Sequence, residues 1–399
     1  MNTELIADER ILLESPDPEN IYCYSPALCH GFNGRFVASF DFGGPGTGNL
    51  KGPRSDHGDY AAGNQLRILT SDDRGGTWTE RARLPMLHTM LFKAGKTLYA
   101  LGHSGRLLIS RSLDNGSTWS DAVILNDQYQ WHQNACKVDV WNGRVTLVYD
   151  HRLPGAGWPN VAPVLFFADE DADLCQWKNW SVSAPFDPTA SFAAMKNIGS
   201  PFQPGDQPGI LEENVFRIHD PDHEFYDPSG ESVMILCRAH TGMSNYGALL
   251  RGVVHPGEIR LEKLRTPGGS ELFLLPLPGG QMKFYLDYDP VSKLYWMVAT
   301  QTTDSYRKLT RLEPGRIPSA FNQRRRLMLQ FSRNGFDWCF AGLVATGADE
   351  RSSRHYASFI FDGSDLLILS RSGDQRARSS HDGNLLTLHR VRNFRELIY

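Results

Sequence analysis

Apolar residues along this chain come in short alternating runs, and helical periodicity is nearly absent. Each run is followed by a Gly-, Asn- or Asp-bearing turn and a second run rich in Val, Leu, Ile and aromatics, the pattern of antiparallel hairpins. Six such hairpins can be marked: "YSPALCHGFNGRFVASFDF" (24–42), "HTMLFKAGKTLYALGH" (88–103), "HQNACKVDVWNGRVTLVYDHR" (132–152), "ENVFRI…ESVMILCR" (213–238), "KFYLDYDPVSKLYWMVAT" (283–300) and "HYASFIFDGSDLLILSR" (355–371). "NG" at 142–143 and "DG" at 362–363 supply turn residues.

Further strand pairs lie between the hairpins, clearest in "NQLRILTSDDRGGTWTE", "GRLLISRSLDNGSTWSD" and "RLMLQFSRNGFDWCF". The same polar loop recurs in all three, as "SDDRGGTW" (71–78), "SLDNGSTW" (112–119) and the worn "SRNGFDW" (332–338). Its Ser and Asp can bond turn amides, its Gly supplies a positive φ and its Trp packs beneath, so it reads as a folding device at a blade's outer edge. Two hairpins make a four-stranded sheet, and six repeats of that unit predict an all-β, six-bladed propeller in one domain spanning 1–399. A β-sandwich pair is the alternative, but it leaves the repeated loop unexplained. "NLLTLHRVRNF" near the C-terminus is expected to complete a blade beside the N-terminal strand and close the ring.

Composition narrows the function. The 399 residues are 41% apolar and 22% charged, with 37 Gly, 23 Pro and a net charge of −4. No long basic run asks for nucleic acid or an anionic membrane. The six cysteines are scattered, far below a disulfide scaffold and without zinc-type pairs, so they read as reduced thiols. Cys237 and His240, three apart, read as core packing. No cofactor or metal is demanded by any motif. The N-terminus is acidic where a signal peptide is basic, and no run is long enough to span a membrane, so the chain is expected in the cytoplasm, or in the periplasm or outside if a leader has been removed.

The loop pattern S-x-D-x-G-x-T-W, as it stands at 71–78 and 112–119, is the Asp box, and the chain resembles the bacterial sialidase superfamily of six-bladed propellers. The resemblance implies a site at the mouth of the central channel, with a Tyr nucleophile paired to a Glu, an Asp acid/base and three arginines on the substrate carboxylate. Tyr356 opens the last inner strand as the nucleophile does. "LEENVF" offers Glu212 or Glu213, and strand register favours Glu212. Asp59, twelve residues before Ser71, takes the acid/base position, with Asp56 and His57 as rivals. Arg238 matches the second arginine. Arg324 matches the third, with Arg325 and Arg326 leaving the register open. The first arginine is missing: Tyr24 of "CYSPAL" stands there. Sialic acid is therefore not implied, and another anionic sugar fits the pattern.

Inner strands converge on one axis, so His88, His132 and Lys283, which open the second, third and fifth hairpins, are expected to share the pocket with Glu212 and Tyr356. The expected partner is a carbohydrate, and the oligomeric state is not legible. Three functions are compatible: an exo-acting, sialidase-like glycoside hydrolase; a lyase of uronic-acid glycans that uses His88, His132 or Tyr356 as base and Arg238 as neutraliser; and a non-catalytic sugar-binding propeller.

Overall fold

The computed structural model describes residues 4–58, 60–155, 157–193, 207–242, 244–255, 257–305, 307–308, 311 and 322–399. It is an all-β propeller of six antiparallel sheets arranged radially. The first blade holds β2 (Tyr22–His30), β3 (Phe36–Gly43), β4 (Gln65–Ser71) and β5 (Thr79–Leu84). The second holds β6 (Leu87–Ala94), β7 (Thr97–Ser104), β8 (Arg106–Ser112) and β9 (Val123–Asn126). The third is built on β10 (Trp131–His132), β12 (Arg144–Arg152), β13 (Val161–Asp169) and β14 (Ser181–Val182), with β11 (Asp139–Trp141) also on β12. The fourth is β15 (Gly209–Phe216), β16 (Ser232–His240), β17 (Tyr246–His255) and β18 (Glu258–Arg265), extended by β19 (Glu271–Leu272) and β20 (Leu274–Pro276). The fifth is β21 (Tyr285–Asp289), β22 (Leu294–Gln301), β23 (Arg326–Ser332) and β24 (Cys339–Thr346). The sixth is β25 (Arg354–Asp362), β26 (Asp365–Ser372) and β27 (Leu385–Val391), closed by β1 (Asp8–Glu14), which pairs with β27 from Asp8↔Arg390 to Glu14↔Leu385.

Blades pack face to face, so a middle strand is covered on both sides and reads as a nearly unbroken apolar run; all nine residues of β16 are buried. The core is accordingly divided into six clusters, one per blade interface. Phe92, Leu101 and Ile109 meet Leu147, Tyr149 and Phe166 between the second and third blades. Phe36, Phe40 and Leu28 meet Leu367, Leu369 and Leu388 across the closure between first and sixth. The six cysteines are free thiols. Cys237 lies in the core cluster between blades three and four, and His240 is buried at the end of β16. Among the described residues, no helix is long and apolar enough to cross a membrane.

The repeated polar loops join third to fourth strands, away from the axis. Ser71 Oγ and Thr77 Oγ1 both donate to the Asp73 carboxylate at 2.8 Å, while the Thr77 amide reaches it at 2.7 Å. Trp78 Nε1 donates to the Gly75 carbonyl at 3.1 Å. Ser112, Asp114, Thr118 and Trp119 repeat the arrangement bond for bond. These hydrogen bonds hold both Asp73 and Asp114 at about 2, so the carboxylates are structural acceptors rather than proton donors.

Candidate active site

Four innermost strands carry the same irregularity near the channel. The register slips between Tyr24 and Ala27 in β2, Leu87 and Met90 in β6, Leu211 and Asn214 in β15, and His355 and Ser358 in β25. The first residue inside each bulge has a positive φ: Ser25 at 46°, His88 at 53°, Glu212 at 57° and Tyr356 at 50°. Such a backbone is uncommon for residues other than Gly, and bulges of this kind re-aim a side chain. His88, Glu212 and Tyr356 line one cavity of about 240 Å³ with His132, Asn134, Arg152, Trp158, Arg371 and His381.

The second strands complete the pattern. The residue facing the step just before each bulge is Asp41 on β3, His103 on β7, Arg238 on β16 and Arg371 on β26. Asp41 accepts the His88 backbone N–H at 3.0 Å and the Asn64 amide at 2.6 Å, which secures the bulge in the neighbouring blade. Arg238 Nη1 donates to Glu212 Oε2 at 2.9 Å and to the Tyr356 phenolic oxygen at 2.6 Å. Its Nε donates to the Gln281 carbonyl at 2.9 Å, and Asn134 reaches the other Glu212 oxygen at 3.3 Å. Burial pushes the Tyr356 phenol above its ordinary value of 10; Arg238, Arg324 and Arg371 pull it down, and Glu212 pushes it up.

Three guanidinium groups surround Tyr356. Arg324 and Arg371 lie 5.2 and 5.4 Å from its ring centroid, and Arg371 also covers Tyr24 at 4.0 Å. The opening strand lacks an arginine, and the sixth blade lays Arg371 over its Tyr24. Arg324 is buried and donates to His355 Nδ1 at 3.0 Å; burial and the nearby Arg371 and Arg238 hold it down at about 10. Asp382 accepts from Tyr24 at 2.7 Å and from His381 at 2.7 Å, and with Arg371 nearby it is held well below the usual carboxylate range although partial burial opposes this. Around the cavity, Arg152, Arg238, Arg324 and Arg371 therefore face Glu212 and Asp382, an excess of positive charge suited to an anionic ligand.

Not every expected site residue reaches this cavity. Glu213 is buried on the far side, accepting from Gln133 at 2.9 Å beside Asp150, and burial pushes it up to about 7. Lys283 lies beneath the site, donating to the Ala357 carbonyl at 2.7 Å, and burial lowers it to about 8. Tyr24 is spent on Asp382 and roofed by Arg371, so it supports Arg371 rather than lining the cavity. Arg325 donates to the carbonyls of Gly347 and Ala348, and Arg326 reaches Thr303 at 3.4 Å. Asp56 is tied to Arg106 in an exposed ion pair and His57 is exposed beside it; Asp59 lies outside the described residues.

Sequence reading missed Arg371, His103, Arg152, Trp158, His381 and Asp382. A signal existed for the first two: "LLILSR" and "VMILCR" end alike at Arg371 and Arg238, and "LYALGH" ends at His103. A larger hollow of about 430 Å³ lies at the rim between β1 and the 71–78 loop, but its Arg74 and Arg390 are already paired with Asp362 and Asp365. It has the character of a closure seam.

No protein-family model matches the chain, and no curated protein matches it. Among solved structures, a Hadza microbial sialidase aligns over 93% of this chain and 66% of its own, at 12% identity and a TM-score of 0.56. The Trypanosoma rangeli sialidase aligns over 98% of this chain and 60% of its own, at 12% identity and 0.57. The Penicillium chrysogenum α-L-arabinanase complexed with arabinobiose aligns over 98% and 99%, at 12% identity and 0.53. The chain spans about two thirds or less of the length of these two sialidases and nearly the whole of the arabinanase. Its fold is the six-bladed β-propeller of sialidases and arabinanases.

Proposed function

We propose that the chain is a retaining, exo-acting glycoside hydrolase that removes a terminal anionic sugar. The observation that carries this reading is the Glu212–Arg238–Tyr356 cluster at the cavity wall, flanked by Arg324 and Arg371. In the proposed first step Tyr356 Oη attacks the anomeric carbon and gives its proton to Glu212, while Asp59 protonates the departing glycosidic oxygen. Arg238 stabilises the phenolate as it forms, because its Nη1 already donates to that oxygen. In the second step Asp59 takes a proton from water, which cleaves the sugar–tyrosine bond, and the proton on Glu212 returns to the phenol. A neutral phenol meets an anionic sugar without the repulsion that a carboxylate nucleophile would suffer. Arg324 and Arg371 hold the anionic group by charge-assisted hydrogen bonds.

The fold shared with sialidases and an arabinanase supports glycoside hydrolysis and is silent on the sugar. The test is a panel of 4-methylumbelliferyl glycosides of sialic acid, uronic acids and α-L-arabinofuranose, run beside uronate polysaccharides. Fluorescence from an anionic glycoside is expected. A rise in near-ultraviolet absorbance without free sugar would instead assign a lyase, and sugar binding without turnover a binding propeller.

A further inference from the structure

Three imidazoles from two blades meet beside Glu212 and Tyr356, and two of them, His88 and His132, line the same cavity. His88 comes from the β6 bulge, His103 from the end of β7 and His132 from β10. Their ring centroids form a nearly equilateral triangle with sides of 5.5, 5.7 and 5.5 Å. One ring nitrogen from each lies within 4.8 Å of the others, and all three residues are buried. Among the described residues, His88 Nδ1 has no hydrogen-bond partner, and the His103 ring is met only by the Gln133 backbone, in a weak contact that leaves at least one of its nitrogens unsatisfied. Buried polar atoms are seldom left in that state without an occupant to satisfy them.

We propose that His88, His103 and His132 form a binding site for one divalent transition-metal ion, with the remaining coordination position facing the cavity.

The donor set selects the metal. Three imidazoles suit Zn²⁺, Co²⁺ or Cu²⁺ and are poor ligands for Ca²⁺ or Mg²⁺, which take oxygen. Three protein ligands with an open fourth position is the arrangement in which a metal can also meet a ligand. Metal–nitrogen bonds of about 2.0–2.1 Å in a tetrahedron place ligand nitrogens about 3.4 Å apart, so the rings must close inward on binding. Two cations oppose the ion: the Arg152 guanidinium lies 3.2 Å from His132 Nδ1, and the charge of Arg238 also acts on that ring. Ligation at Nδ1 displaces Arg152, and ligation at Nε2 moves the ring proton to Nδ1 and turns Arg152 away as well. Bound there, the ion would add a Lewis-acidic contact for a hydroxyl or carboxylate of the sugar, in a cavity whose described charges come from arginines and carboxylates.

The test needs no substrate, so it succeeds or fails independently of the hydrolase reading. Full-length protein is stripped with a chelator, dialysed against Zn²⁺ and assayed for bound metal, then titrated with Co²⁺ in the visible. About one equivalent of Zn²⁺ is expected, with a Co²⁺ ligand-field band that saturates at one equivalent. His103→Asn should weaken binding at least about tenfold. Should that variant misfold, the ¹H–¹⁵N ring resonances of the wild type decide: Zn²⁺ must perturb three histidines and leave the others unmoved. No stoichiometric retention by the folded wild type, or shifts confined to other histidines, overturns the proposal.

Discussion

Glu212 and Tyr356 occupy matching places in two different blades. Each is the first residue of a bulge in an innermost strand, with φ of 57° and 50°, and a single nitrogen of Arg238 bonds both side chains. Two strained backbone positions thus bring a carboxylate and a phenol to one guanidinium. Backbone strain of this kind persists where the surroundings over-determine it.

Removing the phenolic oxygen tests the chemistry. Tyr356→Phe is expected to fold normally and to lose activity by about 10³-fold or more against any substrate found in the glycoside panel. Unchanged kcat in the folded variant, measured with the released fluorophore, would remove Tyr356 from the reaction.

Two buried arginines should respond in opposite ways to the same substitution. Arg238→Met leaves Glu212, 2% exposed, without its cationic partner, and a loss of about 3–5 kcal/mol in urea unfolding is expected. Arg324 is buried near two other arginines, and among the described residues its side-chain hydrogen bond goes to a neutral imidazole. Arg324→Met is therefore expected to be neutral or stabilising, while KM for an anionic substrate rises.

Ser25 sits in the equivalent bulge of β2 with φ of 46°, and its buried hydroxyl has no hydrogen-bond partner among the described residues. Ser25→Gly relieves the backbone and removes the unsatisfied oxygen. A gain of about 1 kcal/mol is expected, read from the midpoint of denaturant unfolding.

Lys283 gives a pH signature. Burial lowers its folded-state pKa to about 8, against 10.5 for the free side chain. Between those values the unfolded chain holds the proton and the folded chain does not, so this group makes stability rise with pH from about 8 to 10.5. Below 8 the penalty is present in full, on the order of 3 kcal/mol. Lys283→Met should flatten that rise when unfolding is followed across the same window; an unaltered pH profile would show that Lys283 is not the titrating group.

The outer-edge loops should matter for stability alone. Asp114 accepts from Ser112, from the Thr118 amide and from the Thr118 hydroxyl. Asp114→Ala is expected to lower the thermal midpoint and leave turnover unchanged.

Much of this protein was legible in its sequence, because the information was local. Alternating runs and turn residues such as Asn142 and Gly143, both at positive φ, specify hairpins within a few residues. Six hairpins plus a repeated loop then imply a ring, since face-to-face blades are what such sheets can bury. Glu212 and Tyr356 were visible as polar openers of apolar strands. What the tertiary structure alone decided was which polar residues share the cavity. Period-two alternation says that neighbours such as Glu212 and Glu213 face opposite ways, yet the direction in which Glu212 is aimed is set by a bulge whose cause lies in partner strands. Arg371 and His103 reach the site from second strands of blades more than 250 residues apart along the chain. The same holds for the imidazole triangle: His88, His103 and His132 are unremarkable in sequence, and only closure of adjoining blades around one axis places their nitrogens within reach of a single ion.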